Sequence, residues 1–231
     1  MPSKWVPLEA SPEWSRPLGL PPSLSFQDLF SLDPEFLTFI PKPHRAVLLL
    51  FPSRGELHDA RVEEEKRGEG VWKGDGVWWI KQTIPNACGS IGLLHALLNL
   101  PERGPYALGP DSQLLKFKAA TIPLAPLERA KLLDETDFFE AAHTAAAQAG
   151  QSAIPTDLDV DTHFIAFIEA VNEEGEKRIV ELDGGREGPF DRGPSSSFLE
   201  DVAKVVQEKY IDRASGDINF NMIVLAGESE D

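Results

Sequence analysis

Apolar positions along this chain follow two rhythms. Short runs rich in β-branched and aromatic residues, bounded by turn formers, predict strands at 46–51 (AVLLLF), 76–82 (GVWWIKQ), 163–171 (HFIAFIEAV), 178–184 (RIVELDG) and 219–226 (NFNMIVLA). Between them, apolar residues recur at helical spacing. That spacing predicts helices from LEASPEW (8–14) onward, over DPEFLTFI (33–40), from Cys88 onward, over 126–148 (PLERAKLLDETDFFEAAHTAAAQ) and over 195–211 (SSSFLEDVAKVVQEKYI). The charged stretch EEEKRGEG (63–70) reads as a solvated loop. QAGQSAIPTDLDVDT (148–162) reads as a long functional loop that runs directly into His163. Mixed helices and strands with hairpin neighbours late in the chain indicate an α+β fold with an antiparallel sheet.

The helix that follows GVWWIKQ-TIPNA begins at or next to Cys88, the only cysteine among 231 residues. Unpaired N–H groups and the positive end of the helix dipole favour a thiolate there, and the neighbouring Ala87 and Gly89 leave the sulfur approachable. Position alone reads equally well as a buried, inert cysteine. A general base decides between the two. His95 lies about two turns along the same helix, roughly 10 Å away, too far for contact. His44, His58 and His143 stand in settings that suit structural or surface roles. His163 differs, because a hairpin through NEEGEK (172–177) places position 163 opposite about 183 to 185. Asp183 can then orient the imidazole while its other nitrogen faces outward. Cys88, His163 and Asp183 thus satisfy the logic of nucleophile, base and orienter. Gln82, six residues before the cysteine at a strand end, supplies an amide that can donate to an oxyanion beside the Cys88 N–H.

Composition narrows the partners. Thirty-eight acids against 22 bases give a net charge of -16, a field that repels nucleic acid and anionic membrane and attracts a basic protein or peptide. One cysteine permits no internal disulfide, which suits a reducing compartment. The longest apolar run is too short to span a bilayer, and the first residues lack the apolar core of a signal peptide. A cytoplasmic, or also nuclear, monomer that needs no metal or other cofactor is expected.

QTIPNACGSIGLLHALLN, HFIAF and ELDGG resemble the cysteine, histidine and aspartate blocks of the ubiquitin carboxyl-terminal hydrolases, thiol-protease deubiquitinases. KWVPLEASPEW, DPEFL, AVLLLFP, PLERAKLL and FNMIVLA resemble the same family in the same order. The resemblance spans nearly the whole chain and implies one catalytic domain over residues 1–231, of the short single-domain type. It implies a papain-like arrangement on a central antiparallel sheet flanked by helices, with a knotted backbone, in which the loop before His163 is a crossover loop over the active site. It makes Cys88 the nucleophile, His163 the proton donor and acceptor, Asp183 the orienter and Gln82 the oxyanion stabiliser. It also places ubiquitin against Pro7, Leu8, Glu9, Ala10, Ser11 and Pro12, against the loop near Ala146, Gly150 and Ala153, and against Asp217, Asn219, Phe220, Asn221 and Met222. Asp33, Asp157, Asp159 and Asp161 are candidate partners for ubiquitin's basic tail. The implied activity is hydrolysis of the bond after the C-terminal glycine of ubiquitin, with small or unfolded leaving groups preferred. A Nedd-type modifier stays open as an alternative partner. Departures from the family pattern are Pro85, Ser90, a longer hairpin turn and an extra residue after Asp183, and none removes a catalytic group.

Overall fold

The run AVLLLF is apolar without interruption because both faces of its strand are covered. In the computed structural model, which describes residues 15–136 and 161–228, it forms the middle of β2 (His44–Pro52), following β1 (Leu24–Asp28). With β3 (Thr162–Val171), β4 (Lys177–Leu182), β5 (Phe190–Pro194) and β6 (Asn221–Gly227), these strands build one antiparallel sheet in the order β1-β6-β2-β3-β4-β5. Alternate residues of β2 point to opposite faces. Ala46 and Leu48 join one buried cluster, and Val47, Leu49 and Phe51 join another.

The first cluster is closed by α4 (Cys88–Leu98), α5 (Gln113–Thr121) and α6 (Pro126–Asp134). The second is closed by α2 (Pro34–Leu37), by α3 (Gly55–Arg67) through Leu57, and by α7 (Phe198–Lys209). A short helix, α1 (Ser15–Leu18), precedes β1. In α7, Phe198, Leu199, Val202, Ala203 and Val206 are buried, one helical stripe against the sheet. α4 is buried on every side from Gly89 to Leu98, so it is a central helix rather than an amphipathic one. Burying one such leucine contributes roughly 1.5–3 kcal/mol. No helix among the described residues is long and apolar enough to cross a membrane.

The structure corrects four readings of the sequence. Residues 76–82 are extended but join no strand ladder. Side chains from neighbouring helices take the place of a neighbouring strand. Asn99 Oδ1 accepts from the Trp78 N–H at 2.7 Å, Asn99 Nδ2 donates to the Trp78 carbonyl at 2.8 Å, and Arg129 donates to the Trp79 carbonyl at 2.7 Å. The charged stretch from 63 is the last part of α3, ended by Gly68 in the left-handed region at φ 64°. The helix beginning at Pro126 ends at Asp134, and 137–148 lie outside the described residues. β4 stops at Leu182 because the chain must turn. A Cβ at Gly184 would sit 2.9 Å from both Gln82 Cβ and Ile91 Cγ2, so the turn presses the backbone against the Gln82 segment as only glycine allows. The sequence reading did not include β1, α5 or β5.

Candidate active site

Cys88 is the first residue of α4, and the turn 84–86 aims it. Asn86 takes up the left-handed region at φ 61°, which a short polar side chain tolerates. As N1 of an 11-residue helix, Cys88 carries one of the four N–H groups with no acceptor inside the helix. His163 is the second residue of β3, where Phe51 of β2 is its register partner. Asp183 follows the last residue of β4. These three elements are neighbours because β3 pairs with β2 and β4 while α4 packs across β3.

His163 Nε2 and Asp183 Oδ1 are 2.6 Å apart. The Cys88 thiol lies within interaction range of the same imidazole, whose other nitrogen is Nδ1. Burial alone would raise the thiol's pKa. The hydrogen bond and charge of His163, with the backbone N–H groups of Phe164 and Gly89, outweigh it and hold Cys88 below its ordinary value. Burial would likewise lower His163, but the Asp183 carboxylate and the Cys88 sulfur push it up to about 10. The two shifts run in opposite directions, thiol down and imidazole up, so each group stabilises the charged form of the other.

Asp183 is buried, and every oxygen it has is engaged. Oδ1 also accepts from the Gly185 N–H at 2.7 Å, Oδ2 accepts from the Arg61 guanidinium, and the backbone carbonyl accepts from Trp79 Nε1 at 3.1 Å. Burial disfavours its charge, yet His163, Arg61 and the Gly185 N–H hold the carboxyl well below the usual carboxylate range.

Gln82 reaches this corner from the extended segment. Its backbone N–H donates to the Gly184 carbonyl at 2.9 Å, one residue past Asp183, and its Nε2 donates to the Ile84 carbonyl at 3.3 Å. One N–H of that amide remains beyond the Ile84 contact. His95, excluded from direct contact by the sequence reading, is fully buried with Nε2 3.2 Å from the Ile80 N and 3.3 Å from the Ile80 carbonyl oxygen. Burial holds it at about 4, so it is a neutral strut between α4 and the segment that carries Gln82.

The sequence reading missed the ionic cluster behind the site. Glu181 is buried, and four groups surround it: Arg192 at 2.6 Å, Tyr210 Oη at 2.5 Å, Arg186 at 3.1 Å and Arg61 at 3.2 Å. Burial would raise its pKa, but the three guanidinium groups hold it far below the carboxylate range. Glu64 completes the cluster, bonding Arg192 at 2.5 Å and Arg186 at 2.8 Å. Three carboxylates, counting Asp183, thus face three arginines, which is how buried charge is tolerated. A charged run in α3 gives no sign in the sequence of what it faces.

Among the described residues, no three His, Cys, Asp or Glu side chains come together as a metal site. The candidate ubiquitin contacts Pro7, Leu8, Glu9, Ala10, Ser11, Pro12, Ala146, Gly150, Ala153, Asp157 and Asp159 lie outside the described residues. Asp33, Asn219 and Asn221 are exposed and Phe220 is half-buried. Met222, by contrast, is buried at 6% exposure, packed in the sheet's second cluster. Two of the acids are already engaged. Asp161 pairs with Arg54, and Asp217 accepts from both the backbone N–H and Nδ2 of Asn219 at 2.9 and 2.8 Å.

The chain matches the model of ubiquitin carboxyl-terminal hydrolase, family 1, over residues 5–211. It is 38% identical to ubiquitin carboxyl-terminal hydrolase 3 of Arabidopsis thaliana, over 96% of this chain and 94% of that one. It is 36% identical to ubiquitin carboxyl-terminal hydrolase isozyme L1 of Sus scrofa, over 95% and 96%. Its fold superposes on the catalytic domain of Trichinella spiralis UCH37, solved bound to ubiquitin vinyl methyl ester, with a TM-score of 0.73 and 25% identity, covering 98% of this chain and 97% of that one. A Cys–His–Asp constellation at a helix N-terminus, on a sheet of this topology and in a chain so matched, leads to one conclusion: the chain is a cysteine hydrolase belonging to ubiquitin carboxyl-terminal hydrolase family 1.

Proposed function

We propose that this chain hydrolyses the bond that follows the C-terminal glycine of ubiquitin, with Cys88 as nucleophile, His163 as proton carrier, Asp183 as orienter and Gln82 as oxyanion donor. The observation that carries the reading is the linked set of Cys88, His163 and Asp183 around the 2.6 Å imidazole–carboxylate bond. The Cys88 thiolate attacks the glycine carbonyl carbon, a C–S bond forms, and the carbonyl electrons move onto oxygen. That oxyanion rests on the Cys88 N–H and the Gln82 amide. As the oxyanion collapses, the C–N bond breaks and the leaving amine takes the proton of His163. Neutral His163 then takes one proton from water, whose oxygen attacks the thioester; the C–S bond breaks, releasing a carboxylic acid, which loses its remaining proton to solvent, and restoring the ion pair.

The topology supports a seat for the modifier at this end of the sheet. Asn221 is opposite Leu50, Phe51 is opposite His163, and Asp28 is opposite Ile223, so 29–33, 217–220 and His163 all lie at one end of the sheet. Phe30 and Ile218, in the two segments that continue from that end, are 89% and 88% exposed. They sit beside Asp33, Asn219, Phe220 and Asn221. Exposed apolar side chains with the exposed Asp33 close by in the chain suit a partner with an apolar face and a basic tail. Asp161, two residues before His163, is bound to Arg54, and its carbonyl accepts from the Ser53 N–H at 2.8 Å. Short or unfolded leaving groups, rather than folded ones, complete the proposed specificity.

Incubation with ubiquitin carrying a C-terminal vinyl methyl ester tests the reading. The wild type gains the mass of one ubiquitin and Cys88→Ala gains none. A wild type that stays unmodified sinks the proposal.

A further inference from the structure

Asp183 is held from two directions, and only one of them belongs to the hairpin. The Gly185 N–H fixes Oδ1 from the turn beyond β4. Oδ2 is met by Nη2 of Arg61, which reaches across from α3, 122 residues earlier in the chain. Arg61 is itself clamped. Its Nη1 donates to Glu181 Oε1 at 3.2 Å and to Tyr210 Oη at 2.5 Å, and Tyr210 donates onward to Glu181 Oε2 at 2.5 Å. The guanidinium also lies over the Phe51 ring, 4.8 Å from its centroid. Phe51 in turn sets its ring edge-on to His163, with centroids 5.8 Å apart and planes at 87°. Arg61 therefore touches both groups that confine the His163 ring, the carboxylate bonded to Nε2 and the aromatic packed against it.

We infer that Arg61 is a positioning residue for hydrolysis: it fixes the Asp183 carboxylate, and through it the plane of His163, rather than serving only as a counter-charge for Glu181. The inference rests on the catalytic reading proposed above. Its physical basis is the asymmetry of the Glu181 cluster. Glu181 has Arg186 and Arg192 besides Arg61, whereas Oδ2 of Asp183 has the guanidinium of Arg61 as its side-chain donor. Removing Arg61 leaves Glu181 with two cations and frees one oxygen of Asp183 to turn about Cβ–Cγ. A small misorientation of the imidazole is costly, because proton transfer to the leaving amine needs the ring aligned.

A fourfold comparison tests this by turnover of ubiquitin bearing a fluorogenic C-terminal amide: wild type, Arg61→Met, Asp183→Ala and the double variant. Reactive sites are counted with the vinyl methyl ester probe, so that kcat refers to folded enzyme. Arg61→Met is expected to lower kcat by about 10- to 100-fold with KM within about threefold. In the Asp183→Ala background the same change is expected to cost less than about twofold, because Arg61 then has no carboxylate to hold. Equal losses in both backgrounds, or a folded Arg61→Met with wild-type kcat, overturn the inference. Should Arg61→Met fail to fold, Arg61→Lys keeps the charge without the fork. It is expected to lose about three- to tenfold in kcat, again only when Asp183 is present, and wild-type kcat in that variant overturns the inference. No turnover by wild type itself, or full turnover by Cys88→Ala, instead marks failure of the underlying catalytic reading.

Discussion

His163 and Asp183 are joined by a 2.6 Å hydrogen bond, although the register of their hairpin does not set them face to face. Pairing ends at Ala166 opposite Leu182, and continuing it would place 163 opposite Gly185. The carboxylate reaches the imidazole diagonally, from a turn that leaves the sheet. If Asp183 orients the ring, Asp183→Asn keeps the shape but changes which nitrogen of His163 bears the proton. A fall in kcat of about a hundredfold is expected with little change in KM, measured on a fluorogenic ubiquitin amide.

Cys88 is held below its ordinary value chiefly by His163, acting against burial. The pH dependence of alkylation by iodoacetamide should therefore show the wild-type thiolate forming at lower pH than that of an ordinary cysteine. His163→Ala removes both the hydrogen bond and the charge, and the midpoint should move upward. Unchanged midpoints in the two proteins would rule out the coupling. Turnover should begin to fall as pH approaches about 10, where His163 loses its proton.

Much of this site is legible in the sequence, and the reason is local. Helix start, small flanking residues and hairpin spacing lie within short windows around Cys88 and between His163 and Asp183. Four of the five expected strands form ladders within three residues of their expected bounds. GVWWIKQ fails because the composition that makes a strand also makes an extended segment. Whether a ladder forms depends on what lies beside it, here Asn99 and His95 of the α4 region. Arg61 and Glu64 were hidden for a similar reason. A run of charges reads as solvated until the fold brings Asp183, Arg186 and Arg192 against it from more than a hundred residues away.

His95 gives a stability prediction of definite sign. It is fully buried and lowered from 6.5 to about 4, so it binds its proton less readily folded than unfolded. Stability from this group is full above pH 6.5 and is lost as pH falls toward 4, by about 3 kcal/mol for a shift of about 2.5 units. His163 acts in the opposite sense: its contribution is full below pH 6.5 and is lost as pH rises toward about 10. Denaturant unfolding of wild type and His95→Gln at pH 7 and pH 4 reads the first effect. The variant should lose less stability on acidification, and parallel losses would contradict this account.

Gln82→Ala should lower kcat by about a hundredfold and leave KM nearly unchanged, because an oxyanion donor acts in the transition state more than in substrate binding. A rise in KM at constant kcat would assign Gln82 to binding instead.

The central claim is that Cys88 attacks the carbonyl of ubiquitin's last glycine, and turnover of ubiquitin carrying a fluorogenic C-terminal amide tests it most directly. Wild type should release the fluorophore continuously, while folded Cys88→Ala releases none above background. No release by wild type, or equal release by both proteins, would contradict it.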